Sequence, residues 1–383
     1  MNNKIKLAVA GAVLSAASVA NAGIIIPAGD WTLDVNGNVN MFAQYTKAED
    51  TATVTGGIAA TEDARGESTY FTTGTGLLPA WLGFTGTTRQ NDLDVSFTIS
   101  FQPNTSDNDA SGMGDSTTPL NRQAFLSFGD ASWGSVKIGK DLGVFASNAI
   151  LSDMTLLGVG GGTAGGKTTL GGIGLGYLYP GWRGQIAYTT PNMNGTQATI
   201  AITNPNQGNA GSALAQDRFG VEAKVVHTFT NGSVWVSGSS YDVTLSATES
   251  YDATALDVGM NVNYGNLGLV AYYYSGEGNG VGTSLNRLGG LAAENDQDGG
   301  YVQATYVIPS GTKLGVAAAS SRQDLANGNT TGMDSNDRWT VGAYHPLTKH
   351  LNLVAEFNNI ESDDHAGNNA ESDSVSLGAI LFF

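Results

Sequence analysis

The chain closes on Ser374-Val375-Ser376-Leu377-Gly378-Ala379-Ile380-Leu381-Phe382-Phe383, and the reading of this stretch decides the fold. Side chains of a strand alternate faces, so Val375, Leu377, Ala379, Leu381 and Phe383 share one side of an extended segment. That side is wholly apolar and ends on an aromatic carboxy-terminus. The segment therefore reads as a strand with one face turned to an apolar medium.

Working outward, the same period recurs at the other end of the chain. From Trp31 to Tyr45 the odd positions are Leu33, Val35, Gly37, Val39, Met41, Ala43 and Tyr45, and the even ones are Asp34, Asn36, Asn38, Asn40 and Gln44, with Phe42 the exception. Leu93, Val95, Phe97, Ile99 and Phe101 alternate as cleanly with Asp92, Asp94, Ser96, Thr98, Ser100 and Gln102. The alternation can be counted sixteen times, near Trp31, Leu77, Leu93, Ala124, Gly134, Trp182, Ala198, Phe219, Val234, Leu256, Leu267, Val302, Leu314, Trp339, Leu351 and Val375. Between Trp235 and Val243 both faces carry bulky residues, and the pattern sets no register there.

The connections choose the architecture. Tight turns fall at Thr88 to Asn91, Gly129 to Ser132, Pro191 to Gly195, Thr230 to Gly232, Gly265-Asn266, Pro309 to Gly311 and His345 to Lys349. Between them run long polar connections: Thr46 to Ser68, Pro103 to Pro119, Asn204 to Gln216, Ser275 to Gly300, Ser321 to Asp337 and Glu361 to Asp373. Strict alternation of short and long puts every tight turn at one end of an antiparallel up-and-down barrel, the plan of outer-membrane proteins. An apolar band of ~25 Å crossed at roughly 40° takes about ten residues per strand, the length of the cleaner runs. A closed sheet leaves no unpaired edge in lipid. A soluble sandwich of sixteen strands divides into domains joined by linkers, and no break in composition marks one. The fold expected is all-β, a transmembrane barrel of sixteen strands.

Composition bounds the function. Lys4 and Lys6, the apolar run Leu7 to Val19 and the small residues Ala20-Asn21-Ala22 predict a secretory signal peptide over Met1 to Ala22, leaving 23–383 as the barrel. The net charge of −17 becomes −19 without those two lysines, which excludes the basic surface that nucleic acid requires. Cys is absent, so there is no thiolate chemistry. Past the leader no apolar run is long enough for a spanning helix.

One connection differs from the rest. Lys140 to Gly181 is rich in Gly and in Leu151, Leu156, Leu157, Val159, Leu170, Ile173 and Leu175, with few charges. A sixteen-stranded barrel is too wide for its own side chains to fill, so this third long connection is expected to fold inward and narrow the lumen. Beside it, Arg122-Gln123-Ala124-Phe125-Leu126-Ser127-Phe128-Gly129 and Ser132-Trp133-Gly134-Ser135-Val136-Lys137-Ile138-Gly139-Lys140 resemble the central hairpin of the general porins of Gram-negative outer membranes. The strand ending at Phe383 resembles the carboxy-terminal signature that the barrel assembly machinery reads in that family. The resemblance implies a homotrimer of water-filled pores, each with its third loop at the constriction. It also implies acidic loop residues facing a basic wall, whereas this loop offers Asp141 and Asp153 beside Lys140 and Lys167.

The inward faces supply the candidate pore-lining residues: Arg122, Lys137 and Arg183 facing Asp141 or Asp153, with Glu222, Lys224 and the loop's Lys167. Asp34, Asp92, Asp94 and Arg338 are further wall charges. The excess of carboxylates predicts a mild cation preference for a channel passing small hydrophilic solutes. Gly161 to Thr168 fits a phosphate-cradling loop in letters, but Thr169-Leu170-Gly171-Gly172 after it is a poor helix. No cofactor is expected. Asp107 and Asp109, Glu294 with Asp296 and Asp298, and Glu361 with Asp363 and Asp364 are acidic clusters in long connections that suit solvation, or Ca²⁺ or Mg²⁺ bridging to lipopolysaccharide phosphates. Rival readings are a barrel plugged by its third loop with an adhesive or structural role, and an outer-membrane enzyme built around His365.

Overall fold

The computed structural model describes residues 23–103, 120–162, 169–204, 218–246, 249–279, 294–326 and 330–383. The expected signal peptide, Asp107, Asp109 and Lys167 lie outside them. The wall opens with β1 (Ile24–Ala28), β2 (Trp31–Ala48), β3 (Thr69–Gly74), β4 (Trp81–Gln90), β5 (Leu93–Gln102), β6 (Leu120–Asp130) and β7 (Gly134–Leu142). The third connection then carries α1 (Ser147–Ser152), a 3-10 turn (Met154–Leu157) and two short strands, β8 (Gly161–Gly162) and β9 (Thr169–Gly171). The wall resumes with β10 (Trp182–Thr189), β11 (Thr196–Thr203), β12 (Gly220–Phe229), β13 (Gly232–Ser246) and β14 (Glu249–Tyr264). It ends with β15 (Leu267–Glu277), β16 (Asp296–Val307), β17 (Lys313–Asp324), β18 (Met333–Pro346), β19 (Leu351–Asp364) and β20 (Asn369–Phe382).

All strands of the wall pair antiparallel, and the sheet closes on itself through β2. One edge of β2 takes β20 from Asn38↔Phe382 to Ala48↔Ser372, and below it β1 from Val35↔Ile24 to Trp31↔Ala28. The two ends of the described chain thus share one wall position, sealed by Gly37 N–H to Phe383 C=O at 2.8 Å and the reverse bond at 3.0 Å. The other edge takes β3 and β4 in line. With those two composite positions, the wall has sixteen places, as the alternation predicted. Asn91 and Asp92 both turn left-handed between β4 and β5, a conformation that Asn and Asp tolerate. Asp92, expected on the wall, is therefore a turn residue.

The two faces separate as the period requires. Val39, Met41, Leu126, Ile138, Val302, Val341 and Leu377 are exposed on the outside, while Asn38, Asn40, Gln44, Ser100, Gln123 and Ser376 are buried on the inside. No helix among the described residues is long and apolar enough to cross a membrane. The exceptions to the alternation have a physical cause. Phe42 points to the buried face and packs with Met154 and Val159 of the third connection. Trp235 and Tyr241 do the same with Phe145, Ala149 and Leu170, which settles the register of β13: Trp235 inward, Val234 and Val236 outward.

Several boundaries differ from the sequence reading: β18 already runs from Met333, β19 continues to Asp364 and β20 starts at Asn369, within stretches expected to be long connections. β7 continues to Leu142, so Lys140 and Asp141 belong to the wall and the third connection is 143–181. The first long connection, expected among the solvated ones, is partly buried as well. Its Val54, Ile58 and Ala59 are buried with Leu175, Ile360 and Ala370.

Candidate functional site: the latches of the third connection

At its root the third connection is held by one buried carboxylate. Glu222 is on β12, where its register opposes Ala201 of β11. Its Oε1 lies 3.1 Å from Arg183 Nε of β10 and accepts from the Tyr241 hydroxyl. Its Oε2 accepts the backbone N–H of Val144 and, at 2.9 Å, that of Phe145. Arg183 also donates to the Pro180 carbonyl at 2.9 Å and lies 5.0 Å over the Tyr241 ring. Both ends of the connection, 144–145 and 180, are thereby tied to one ion pair that is withdrawn from water. A buried charge is tolerable only when paired and hydrogen-bonded, and Glu222 is both.

Farther along, the wall supplies a second set. Lys224 donates from Nζ to Ser147 Oγ and Asn148 Oδ1, each at 2.8 Å. Tyr301 donates to the Ala149 carbonyl at 2.8 Å, and Gln303 bridges Met154 N–H at 2.7 Å and the Ser152 carbonyl at 3.1 Å. Asp153 caps the 3-10 turn at Thr155 N–H, accepts from the Tyr177 hydroxyl at 2.9 Å and lies 3.6 Å from Arg338 of β18. Glu356 of β19 collects Val159 and Gly160 N–H, each at 2.8 Å, and the Tyr344 hydroxyl at 2.6 Å. The chain approaches Glu356 so closely that a Cβ at Gly158 would stand 2.0 Å from its Oε1.

The expected residues fall out as follows. Lys137 of β7 pairs with Asp141, four residues on along the same face of the strand, and Gln123 Nε2 donates to the same carboxylate at 2.9 Å. Arg183 sits opposite Asp141 in register, but its ion pair is with Glu222. Arg122 does not join them: it stands at a register shift between β5 and β6, with its guanidinium 5.8 Å over the Trp182 ring. Lys140 donates to the Asn121 carbonyl. His365, singled out for an enzyme reading, contacts the Gln323 carbonyl at 2.7 Å. Of the acidic clusters, Asp296 and Asp298 are on β16 and Glu361, Asp363 and Asp364 on β19; among the described residues no group of three or more His, Asp and Glu is placed to hold a metal.

Sequence reasoning missed Glu356 and the tyrosines. The available signal was aromatic residues on an otherwise polar inner face, as with Tyr241, Tyr272, Tyr274, Tyr301 and Tyr344. Such residues need an apolar partner, and the Gly-rich apolar connection packs against them. Chemically, the Arg183–Glu222 pair, Asp153 with Arg338, and the side chains of Lys224 and Glu356 fasten one chain segment to the wall strands, while Lys137 and Asp141 pair within β7.

A family model described as Gram-negative porin matches residues 7–365. No curated protein sequence matches this chain. Among solved structures, an anion-selective porin from Comamonas acidovorans aligns with a TM-score of 0.66 at 16% identity, over 92% of this chain and 100% of that one. OmpF of Salmonella typhi, in complex with daunomycin, gives 0.63 at 18% identity, over 94% and 100%. The trimer form of OmpT from Vibrio cholerae gives 0.59 at 15%, over 92% and 99%. At these identities the likenesses speak for the fold. The family match spans nearly the whole length, and the chain belongs to the Gram-negative porins, the diffusion channels of the outer membrane.

Proposed function

We propose that the protein is a general diffusion porin in which the third connection lies within the lumen and sets its narrowest point. The observation that carries this reading is the series of latches from Glu222 through Asp153 to Glu356, which hold the described residues of the third connection against the wall from β12 to β19. Small hydrophilic solutes and ions pass, sorted mainly by size and less by charge, since Arg183 with Glu222 and Arg338 with Asp153 compensate each other beside the connection. The net charge of −19 that the chain carries without its leader, −17 − 2, favours cations at the mouths and gives a mild cation preference. The chain is exported by Met1–Ala22, assembles as a homotrimer, as the trimeric OmpT structure suggests, and meets lipopolysaccharide through its outer acidic residues.

Single-channel recording of the refolded protein in a planar bilayer, with a salt gradient, tests each part. Conductance steps that close in threes are expected, with a reversal potential of cationic sign. An anionic sign overturns the selectivity, and silence from a folded barrel overturns the channel in favour of a plugged barrel.

A further inference from the structure

The inner face of β18, β19 and β20 carries Asn336, Ser362 and Ser372, small polar groups of the kind that line water. All three are nonetheless buried, at 0%, 0% and 3% exposure, beneath the first connection. Ile58 N–H donates to Asn336 Oδ1 at 3.1 Å and to Ser362 Oγ at 3.0 Å; Ala59 and Ala60 N–H donate to Ser362 Oγ and Ser372 Oγ at 3.0 Å. On its other side this segment packs Ile58 and Ala59 against Leu175 of the third connection, and Ile58 and Leu175 are both at 0% exposure. Gly56, with φ +80°, permits the bend against Met333 that brings the segment down.

We propose that 54–60 is a second constriction element, a strap that seals the seam between the third connection and the wall of β18–β20. The inference rests on the diffusion reading above and adds to it. A hydrophilic wall behind the third connection would conduct water and ions as a side passage. The strap covers that wall with backbone amides bonded to neutral acceptors and turns Ile58 toward Leu175, so no water file remains. Solutes are left one opening, and the segment limits how large they can be.

The test replaces 54–60 by a short Gly-Ser link in the full chain, with wild type alongside, and reads unit conductance and permeation of sugars of graded size. The variant is expected to conduct about twofold more and to admit larger sugars, the response of a pore that has gained a path. Where the link variant does not refold to a heat-modifiable barrel, Ser362→Ala with Ser372→Ala is read instead, with rapid flicker and a smaller rise expected. Conductance and sugar cut-off equal to wild type in a folded variant overturn the strap while leaving the channel standing. Silence from both folded wild type and folded variant overturns both readings; a silent wild type opened by the replacement supports the seal and overturns free diffusion.

Discussion

The first and third connections are both partly buried and hydrogen-bonded to wall strands, yet they are fastened by different chemistry. The third adds acidic and basic side chains to neutral ones such as Tyr301 and Gln303: Glu222 and Glu356 each gather two backbone amides and a tyrosine hydroxyl, and Asp153 meets Arg338. The strap of the first is held by the neutral groups Asn336, Ser362 and Ser372. Carboxylates enter only at its edges, where Asp364 accepts Thr55 N–H at 3.2 Å and Asp50 accepts Glu371 N–H at 3.1 Å. Charged acceptors make the stronger bonds but leave a large penalty when a partner is lost; neutral ones are weaker and more forgiving. The third connection is therefore brittle at its acidic latches, and the first is held more forgivingly by its neutral ones.

Truncation at the root is the strongest way to break this contrast. Glu222→Ala strands the Arg183 guanidinium out of water and leaves Val144 N–H, Phe145 N–H and the Tyr241 hydroxyl without acceptors. The expected loss is about 3–5 kcal/mol, that of a buried pair broken on one side. The comparable cut at Ser372→Ala removes one neutral acceptor and is expected to cost about 1 kcal/mol. Guanidinium unfolding of the refolded proteins in detergent compares the two; equal losses would erase the distinction between the fastenings.

A milder cut sharpens it. Arg338 is enclosed, and its nitrogens make no hydrogen bond among the described residues, so Asp153 compensates it through space alone. Asp153→Leu is expected to cost about 3 kcal/mol, and adding Arg338→Met should return roughly half, since apolar residues often replace a buried pair without loss. The remainder belongs to Thr155 N–H and the Tyr177 hydroxyl, which also depend on Asp153. A double variant no better than the single would show that the fastening is those hydrogen bonds and not the pair.

The barrel was legible in the sequence because the medium on its outside is uniform. Lipid asks the same of Val39, Val302 and Leu377, so a period of two survives along every strand. The inside has no such uniform demand. Phe42 and Trp235 break the pattern because the third connection touches their stretch of wall, and Glu356 is a wall carboxylate like any other until 159–160 arrives beneath it. Lys137 with Asp141 was within reach because both lie on one strand. Arg183 with Glu222 and Asp153 with Arg338 join residues far apart in sequence, and nothing local marks the partner. The strap was missed because Val54, Ile58 and Ala59 are few and scattered among Thr and Gly.

The weakest effect concerns acid, and it separates the tip of the first connection from its strap. Asp63 is half-buried at the tip, and hydrogen bonding to the Arg65 guanidinium, then to the amides of Glu67 and Arg65, holds its carboxyl below the usual carboxylate range. A lowered value in the folded state stabilises the turn above the unfolded value, and that contribution disappears as pH falls through the folded one, below about pH 4. Amide exchange at Arg65 and Glu67, corrected for its intrinsic pH dependence, should accelerate across that range, and Asp63→Asn should abolish the change. Ile58 and Ala59 donate to acceptors that do not titrate, Asn336 and Ser362, so their protection should hold over the same range. Parallel loss at all four amides would mean that the strap is held through the tip and not by the wall.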